Sequence, residues 1–309
     1  MKIGFYLKWD IDHMYQNGWI IGEAYYFRSV CNELSKLPGV EFARQYDLVT
    51  RPDTQLDVMI YVNDTEPIPS LAKKNILYLQ NGFGEGMDTI LERLRPLGYD
   101  GYIFISKKLL SLHESQGYHG IYLPFGADLT KFYPREADAS YNYDVVFIGN
   151  DIKGHGRTMR YLSPMFNYNF GLFGMWGDGD SFCQKVFSRI CKGRLDYDKV
   201  PLLYSNAKIS LNFTFPDQVN WGAMTDRPFQ IMACKGFLIS DYVPGFEDEL
   251  RGCMIVTNGG LDIINKIDYY LSRTKERQEI ADNGYQYVIK NASIQSRAGK
   301  LYNYLQELL

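Results

Sequence analysis

Short apolar runs alternate with longer stretches of helical periodicity along the whole chain. Many of these runs are apolar at successive positions, as in LDVMIYV (56–62) and VVFIG (145–149). Continuous apolarity is typical of parallel strands that helices cover on both faces. Ten runs predict strands: residues 2–7, 56–62, 75–80, 101–106, 120–124, 143–149, 168–174, 208–213, 236–241 and 253–257. The pattern predicts an α/β fold with two successive parallel sheets.

A segment rich in Pro, Gly and polar residues separates the two sets of strands. LPFGADLTKFYPREADASYNY (123–143) precedes a new strand, and 309 residues are enough for two cores. We therefore expect an N-terminal domain over residues 1–135 and a C-terminal domain over residues 136–295. A helical region, 262–304, follows the last predicted strand.

Composition and charge limit the compartment and the binding partners that we expect for this protein. A net charge of -3 gives no reason to expect nucleic acid or an acidic membrane surface as a partner. No run approaches the roughly 18 apolar residues of a membrane span. The N-terminus reaches Asp10 before a signal-peptide core develops. Five scattered cysteines without a C-x-x-C pair favour reduced thiols over a zinc site, so we expect a cytoplasmic protein.

The segment 200–241 carries the strongest functional signal. It predicts a short helix (200–207), a buried strand (208–213), an open loop, a helix from Asp226 and a second strand (236–241). A loop from a strand end into a helix N-terminus presents free N–H groups and the positive end of the helix dipole, a common phosphate site. Asp226 is the expected N-cap, Pro228 suits the first turn, and Arg227 adds a forked cationic donor.

The same segment carries a resemblance to a known family. AKISLN (207–212), Arg227, Phe229 and the AC-x-G turn (233–236) are followed at compatible spacing by NGYQYVIKNASIQSRAGKL (283–301). LPFGADLTKFYP (123–134) and YDVVFIGN (143–150) precede them. In this order the strings resemble the glycosyltransferases related to the spore-maturation protein CgeB, a group within the GT-B superfamily. The resemblance covers the second half of the chain.

The resemblance implies a GT-B fold, with two Rossmann-like domains facing a central cleft. The N-terminal domain would bind acceptor and the C-terminal domain would bind a nucleotide-diphosphate sugar as co-substrate, without a cofactor. The last helix, residues 296–309, is the candidate to cross back to the N-terminal domain. The implied donor-binding residues are Gly149, Arg157, Asn212, Arg227, Phe229 and Gln230.

One residue of the predicted donor site differs from the family, and two residues are candidates for contact with the diphosphate. Gln230 stands where the CgeB-like group has a Glu that bonds the ribose, and an uncharged acceptor makes that bond weaker. In NDIKGHGRTMR (150–160), Arg157 or Lys153 is the candidate for diphosphate contact. The family has an Arg at about the position of Arg157.

Candidate catalytic groups follow the predicted strands of the first half. Glu23 and His13 lie in KWDIDHMYQNGWIIGEAYYFRSV (8–30), which also holds a Gly18 and Gly22 pair, and Asp64 follows the strand 56–62. Each one alone also suits a solvated or capping position. An inverting reaction needs one of them to deprotonate the acceptor hydroxyl, whereas in a retaining reaction the leaving phosphate takes that role.

We expect no required metal. The triplet Asp178-Gly179-Asp180 is similar to the metal-binding Asp-x-Asp of a different glycosyltransferase fold, but Asp-Gly-Asp is also an ordinary turn. The interpretation is a metal-independent glycosyltransferase whose acceptor, a glycan, a lipid-linked sugar, a protein or a small molecule, is unknown. The alternatives are a nucleotide-sugar 2-epimerase of the same fold and a non-catalytic sugar- or nucleotide-binding protein.

Overall fold

The computed structural model describes residues 1–17, 21–82, 84–177 and 179–309. Contacts divide the chain into two compact units. Unit 1 comprises Met1–Asp128, Asn220–Met224 and Ser293–Leu309, and unit 2 comprises Leu129–Val219 and Thr225–Ala292. Each unit contains one parallel sheet.

Unit 1 is built on six parallel strands in the order β2-β1-β3-β4-β5-β6. The strands are β1 (Lys2–Tyr6), β2 (Phe42–Tyr46), β3 (Leu56–Val62), β4 (Ala72–Leu79), β5 (Gly101–Phe104) and β6 (Ile121–Tyr122). The helices are α1 (Ile11–Gln16), α2 (Gly22–Leu34), α3 (Met87–Leu94), α4 (Lys107–Ser115) and α12 (Ile294–Leu308). Strand order reverses between β1 and β3, so loops diverge there and leave a crevice at their carboxyl ends.

Unit 2 has five parallel strands in the order β11-β10-β9-β7-β8. They are β7 (Val145–Ile148), β8 (Phe170–Phe173), β9 (Ile209–Asn212), β10 (Leu238–Asp241) and β11 (Ile255–Thr257). The helices are α5 (His155–Leu162), α6 (Phe182–Phe187), α7 (Val200–Asn206), α8 (Pro216–Asn220), α9 (Asp226–Ala233), α10 (Leu261–Leu271) and α11 (Thr274–Asn291). Strand order reverses between β7 and β9.

The core of unit 2 covers both faces of its sheet. Val145 and Phe147 of β7 pack in one cluster with residues of α5 and α10. Val146, between them, points to the opposite face and packs with Leu203 of α7. Two buried faces require apolar side chains at successive positions, which explains the unbroken apolar runs in the sequence.

The prediction of two parallel-sheet α/β units is confirmed, and each of the ten predicted strands overlaps an observed one. One strand was missed. β2 pairs only with β1 at the edge of its sheet, and its sequence FARQY mixes buried and exposed positions. The loop expected to be open after β9 contains the short helix α8.

Within the described ranges, no helix combines the length and apolarity needed to span a bilayer.

Candidate functional site

Polar and basic side chains meet where the strands of unit 2 end. Asn212 is the last residue of β9 and Asp241 the last of β10, while Gly149 directly follows β7. Because the sheet is parallel, these ends lie at one edge, on the side where strand order reverses. Lys153, Arg157, Asn212, Arg227 and Asp241 are called the strand-end cluster below.

Asp241 is the carboxylate of the cluster and is fully bonded. It is 1% exposed, and its Oδ2 accepts from Arg157 Nη2 and from the backbone N–H of Thr214 at 2.8 Å. Its Oδ1 accepts from the hydroxyls of Thr214 and Ser240, both at 3.1 Å. Arg157 Nε also donates to Thr214 O at 2.8 Å, so Arg157 is fixed in orientation. Donors therefore occupy both oxygens of this carboxylate.

Arg227 projects from the first turn of α9. Its Nη1 donates to Asn212 Oδ1 at 2.9 Å, and its guanidinium carbon lies 5.4 Å from the ring centre of Phe147. A Cβ added to Gly149 would lie 3.3 Å from Arg227 Nη2, so this glycine lets the backbone approach the guanidinium closely. The structure brings together Gly149, Asn212 and Arg227, three of the residues singled out in the sequence.

The three basic groups lie over a stack of three aromatic rings. Phe213 stacks on Phe147 and on Tyr161, with ring centres 4.7 and 5.0 Å apart. Arg227 lies near Phe147 as described, Lys153 Nζ lies 5.7 Å from the Phe213 ring, and Arg157 Cζ lies 5.2 Å from the Tyr161 ring. The rings' negative faces stabilise cations where water is scarce. Three basic side chains thus share a site with the carboxylate of Asp241, which Arg157 already binds, and the carboxyl group of Asp226 lies beside Arg227.

Two helices start beside the cluster without a side-chain cap. The N-cap of α5 is Gly154, which has φ of +88° and no capping side chain. The N-cap of α9 is Thr225, whose side chain makes no capping hydrogen bond. The expectation that Asp226 is the N-cap was wrong, because Asp226 is already the first helical residue. The free N–H groups of α5 and the helix dipoles therefore add positive potential to the basic side chains, whereas at α9 the Asp226 carboxylate faces the N–H groups of the first turn.

Gln230 and Phe229 follow Arg227 on α9. Gln230 is 8% exposed and donates from Nε2 to Asp226 Oδ2 at 2.7 Å, so its amide is held within the helix. Burial raises the pKa of Asp226, and the charge of Arg227 acts in the opposite direction. A Glu at position 230 would face this carboxylate, whereas Gln supplies a donor. Phe229 is fully buried, and its contact with a donor stays a prediction.

The crevice of unit 1 is closed by an ion pair. Lys8 follows β1 and Asp64 follows β3, and their side chains meet across the point where strand order reverses. Arg93 of α3 lies 3.9 Å from the other oxygen of Asp64. Asn63 has φ of +58°, and its Oδ1 accepts from the backbone N–H groups of residues 80 and 81 at 2.8 and 2.9 Å. These contacts fix the ends of β1, β3 and β4 relative to one another.

The other candidate bases lie on separate helices of unit 1. His13 is an exposed residue of α1, with Nε2 3.2 Å from Asn17 Nδ2. Glu23 is half-buried in the first turn of α2. Asp10 accepts from the backbone N–H of His13 at 2.9 Å, so it caps α1. Gly18 of the expected glycine pair lies outside the described residues.

Some residues of these sites were missed in the sequence. Asp241 was predicted to end a strand, but it was not connected with the basic residues after the neighbouring strands. The available signal was a carboxylate at the end of an apolar parallel strand. Asp178 of the Asp-Gly-Asp triplet lies outside the described residues. In the described part of the chain, no group of three or more His, Cys, Asp or Glu side chains is placed to hold a metal ion.

Two units, each built on a parallel sheet with helices around it, are the architecture of the GT-B fold. Residues 157–303 match the sequence family described as Glycosyl transferase-like. No curated protein matches the sequence of this chain.

Solved structures show the same architecture over the whole length. Sucrose-phosphate synthase from Thermosynechococcus elongatus has a TM-score of 0.71 at 11% identity, with 100% of both chains covered. HepE from Anabaena, in complex with UDP-glucose, has a TM-score of 0.69 at 12% identity and covers 99% of this chain and 100% of its own. T4 phage BGT, in complex with its UDP-glucose substrate, has a TM-score of 0.60 at 13% identity, with 100% and 99% covered.

These similarities confirm one part of what the sequence predicts and leave another part open. The GT-B fold is confirmed, and residues 157–303 are similar to a glycosyl transferase-like family. The narrower grouping with the CgeB-like proteins stays a prediction.

Proposed function

We propose that this protein transfers a sugar from a nucleotide-diphosphate sugar to an acceptor and binds the donor diphosphate at the strand-end cluster. One observation carries the proposal: Lys153, Arg157 and Arg227 converge on a site whose carboxylate, Asp241, already has its acceptor positions filled. The N-terminus of α5, which has no side-chain cap, also lies there. A diphosphate supplies the negative charge and the acceptor oxygens that this arrangement lacks.

The proposed mechanism is electrostatic. The bond from sugar to diphosphate breaks as negative charge accumulates on the leaving phosphate, and donors already fixed in place stabilise that charge without reorganising. Arg227 is oriented by Asn212, and Arg157 by Thr214 and Asp241. These groups supply the charge that a metal ion provides in other transferases, so we propose that the reaction needs no metal.

The donor nucleotide proposed first is a uridine nucleotide. HepE and BGT are similar in fold along their whole length and are described in complex with UDP-glucose. The ribose contact proposed for Gln230 would use an amide that Asp226 already orients.

Catalysis on the acceptor side is proposed for groups of unit 1. For an inverting reaction the candidates to deprotonate the acceptor hydroxyl are Asp64, His13 and Glu23. Asp64 is paired with Lys8 and lies near Arg93, which holds its carboxylate in position at the rim of the crevice. For a retaining reaction no such base is required. The acceptor itself is not specified by these groups.

Substitution of Arg227 tests the diphosphate placement. We expect Arg227→Ala to weaken UDP binding by about ten- to a hundredfold, because a hydrogen bond between charged partners contributes roughly 1.5–3 kcal/mol. Uridine, which lacks the phosphates, should lose less than about threefold. Arg251→Ala is the matched control, since Arg251 is an exposed arginine of unit 2 paired with Asp248. Calorimetry that shows equal losses for UDP and uridine would contradict the placement.

A panel of nucleotide sugars tests the reaction. The protein is incubated with each donor, with and without candidate acceptors, and the products are separated by chromatography. Nucleotide release that depends on acceptor supports transfer. Epimerised donor without acceptor would replace the proposal with a 2-epimerase. Tight binding with neither product, across donors and acceptors, would leave a binding protein.

A further inference from the structure

Lys153 is the unusual member of the strand-end cluster. The residue is 7% exposed, and among the described residues it has no hydrogen bond and no ion pair. A buried ammonium without an acceptor carries a large desolvation cost, so such a group is either paired or neutral. The aromatic face of Phe213, 5.7 Å away, offsets only part of this cost.

The groups that face this amine do not neutralise it. Arg227 on α9 and Arg157 on α5 oppose its positive charge, and Asp241 on β10 favours it. Asp241, however, already accepts from Arg157, Thr214 and Ser240. Burial first, and then the charge of Arg227, lowers the pKa of Lys153 from 10.5 to about 7.

We infer that the amine of Lys153 takes up a proton when an anionic ligand enters the strand-end cluster, so that donor binding is coupled to pH. The ligand's identity rests on the proposed function; the coupling rests on the buried, unpaired amine on which the charges of two arginines act. The nitrogen lone pair accepts a proton from solvent, and the ammonium then pairs with the ligand's oxygens. An arginine cannot respond in this way, because it stays charged.

The sign of the coupling follows from the two protonation states. Below the pKa of the unliganded amine, Lys153 is already charged and binding takes up little proton. Above it, binding must add a proton, so affinity falls up to tenfold per pH unit until the pKa of the liganded amine is reached. We therefore expect tighter donor binding at pH 6 than at pH 8.

Calorimetry with UDP-glucose measures the number of protons that are taken up on binding. Its diphosphate diester does not titrate between pH 6 and 8, whereas UDP itself titrates near pH 6. Titrations in two buffers of different ionisation enthalpy should show about 0.9 proton taken up per ligand at pH 8 and about 0.1 at pH 6. No uptake at pH 8 by a wild-type protein that binds UDP-glucose would overturn the inference.

Three variants assign the proton to this side chain. Lys153→Met should bind without proton uptake and with the same affinity at both pH values. Lys153→Arg should bind at pH 8 about as tightly as at pH 6, because its charge is permanent. Lys275→Met, on an exposed position of α11, is the control and should retain the wild-type pH dependence. Full proton uptake in Lys153→Met would assign the proton elsewhere and overturn the inference.

NMR measures the protonation of Lys153 independently of which donor the protein binds. If UDP-glucose does not bind at any pH, the proposed donor is wrong, and inorganic sulfate, which stays divalent across this range, becomes the probe. The lysine side-chain ¹³C resonance that disappears in Lys153→Arg should titrate near pH 7 and shift upward by at least about one unit in sulfate. Titration above pH 9 in the absence of sulfate, or no shift at saturating sulfate, would overturn the coupling.

Discussion

At the scale of single residues, the buried imidazole of His113 couples the stability of unit 1 to pH. His113 is fully buried on α4, and ring centres of Tyr102, Phe104 and Tyr118 lie 4.3 to 5.1 Å from its own. Burial, and then the charge of Arg95, lowers its pKa from 6.5 to about 4. Between these values the unfolded chain binds a proton that the folded chain does not.

We expect unit 1 to lose stability as pH falls from about 6.5 to about 4. The unfolded state gains protons in this window, so the free energy of unfolding decreases by on the order of 1–3 kcal/mol. His113→Leu, which keeps an apolar side chain of similar size, should flatten this dependence, and His119→Gln at an exposed position should keep it. Urea unfolding at pH 7, 5.5 and 4.5 measures the change. Parallel slopes for wild type and His113→Leu would assign the protons to other groups.

The residues of the strand-end cluster differ in how far sequence predicts them. Arg227 follows from a helix start after a buried strand, which is a local pattern. Lys153 has the same local pattern as a solvated lysine, and its environment depends on the ring of Phe213 and on the charges of Arg227 and Asp241, which are distant in sequence. The pairing of Arg157 with Asp241 joins residues 84 positions apart. Charge balance in a site of this kind is a tertiary property.

At the scale of elements, the loops after β7 and β8 are locked together by backbone contact. Gly174 has φ of +137°, and a Cβ added there would lie 2.1 Å from Gly149 O. The indole N–H of Trp176 donates to the same carbonyl at 2.7 Å, and Trp176 is fully buried. The position of Gly149 beneath Arg227 therefore depends on the next strand's loop.

Gly174→Ala should damage both folding and binding. The methyl group meets backbone at a φ that favours glycine, so we expect a loss of about 1–3 kcal/mol in unit 2, or roughly 2–12 °C in Tm. UDP binding should weaken as well, because Gly149 would shift relative to Arg227. Gly177→Ala is the control, since its Cβ would meet nothing within 4 Å. Scanning calorimetry and UDP titration report the two effects, and wild-type values for Gly174→Ala would contradict the locked arrangement.

Strands were predicted correctly where burial on both faces requires successive apolar residues. Strands covered on both faces, such as β3 and β9, need apolar residues in succession and were predicted. The edge strand β2 needs no such run, because one side of it has no strand partner and its residues range from buried to exposed. The helix α8 has five residues, too few to show a helical period.

At the scale of the whole molecule, unit 1 is completed by a distant part of the chain. α12 packs against α2, and Arg297 Nε donates to Phe125 O at 3.1 Å. The hydroxyl of Tyr304 accepts from the backbone N–H of Tyr102 at 3.0 Å, in the space left by Gly101. Periodicity predicts a helix over these residues, whereas only the family resemblance suggested a partner in the N-terminal domain, because the contacts span some 200 positions of sequence.

Truncation of a single α12 side chain should therefore loosen the N-terminal sheet. Leu301 is fully buried, so we expect Leu301→Ala to cost about 2–5 kcal/mol through lost burial and a residual cavity. Hydrogen exchange should accelerate in α2 and β5, far away in sequence, while α9 and α11 of unit 2 keep their protection. Asn303→Ala, two residues on and exposed, should leave both sets unchanged. Equal acceleration in α2 and α9 would mean that the two units unfold together and that α12 does not stabilise unit 1 separately.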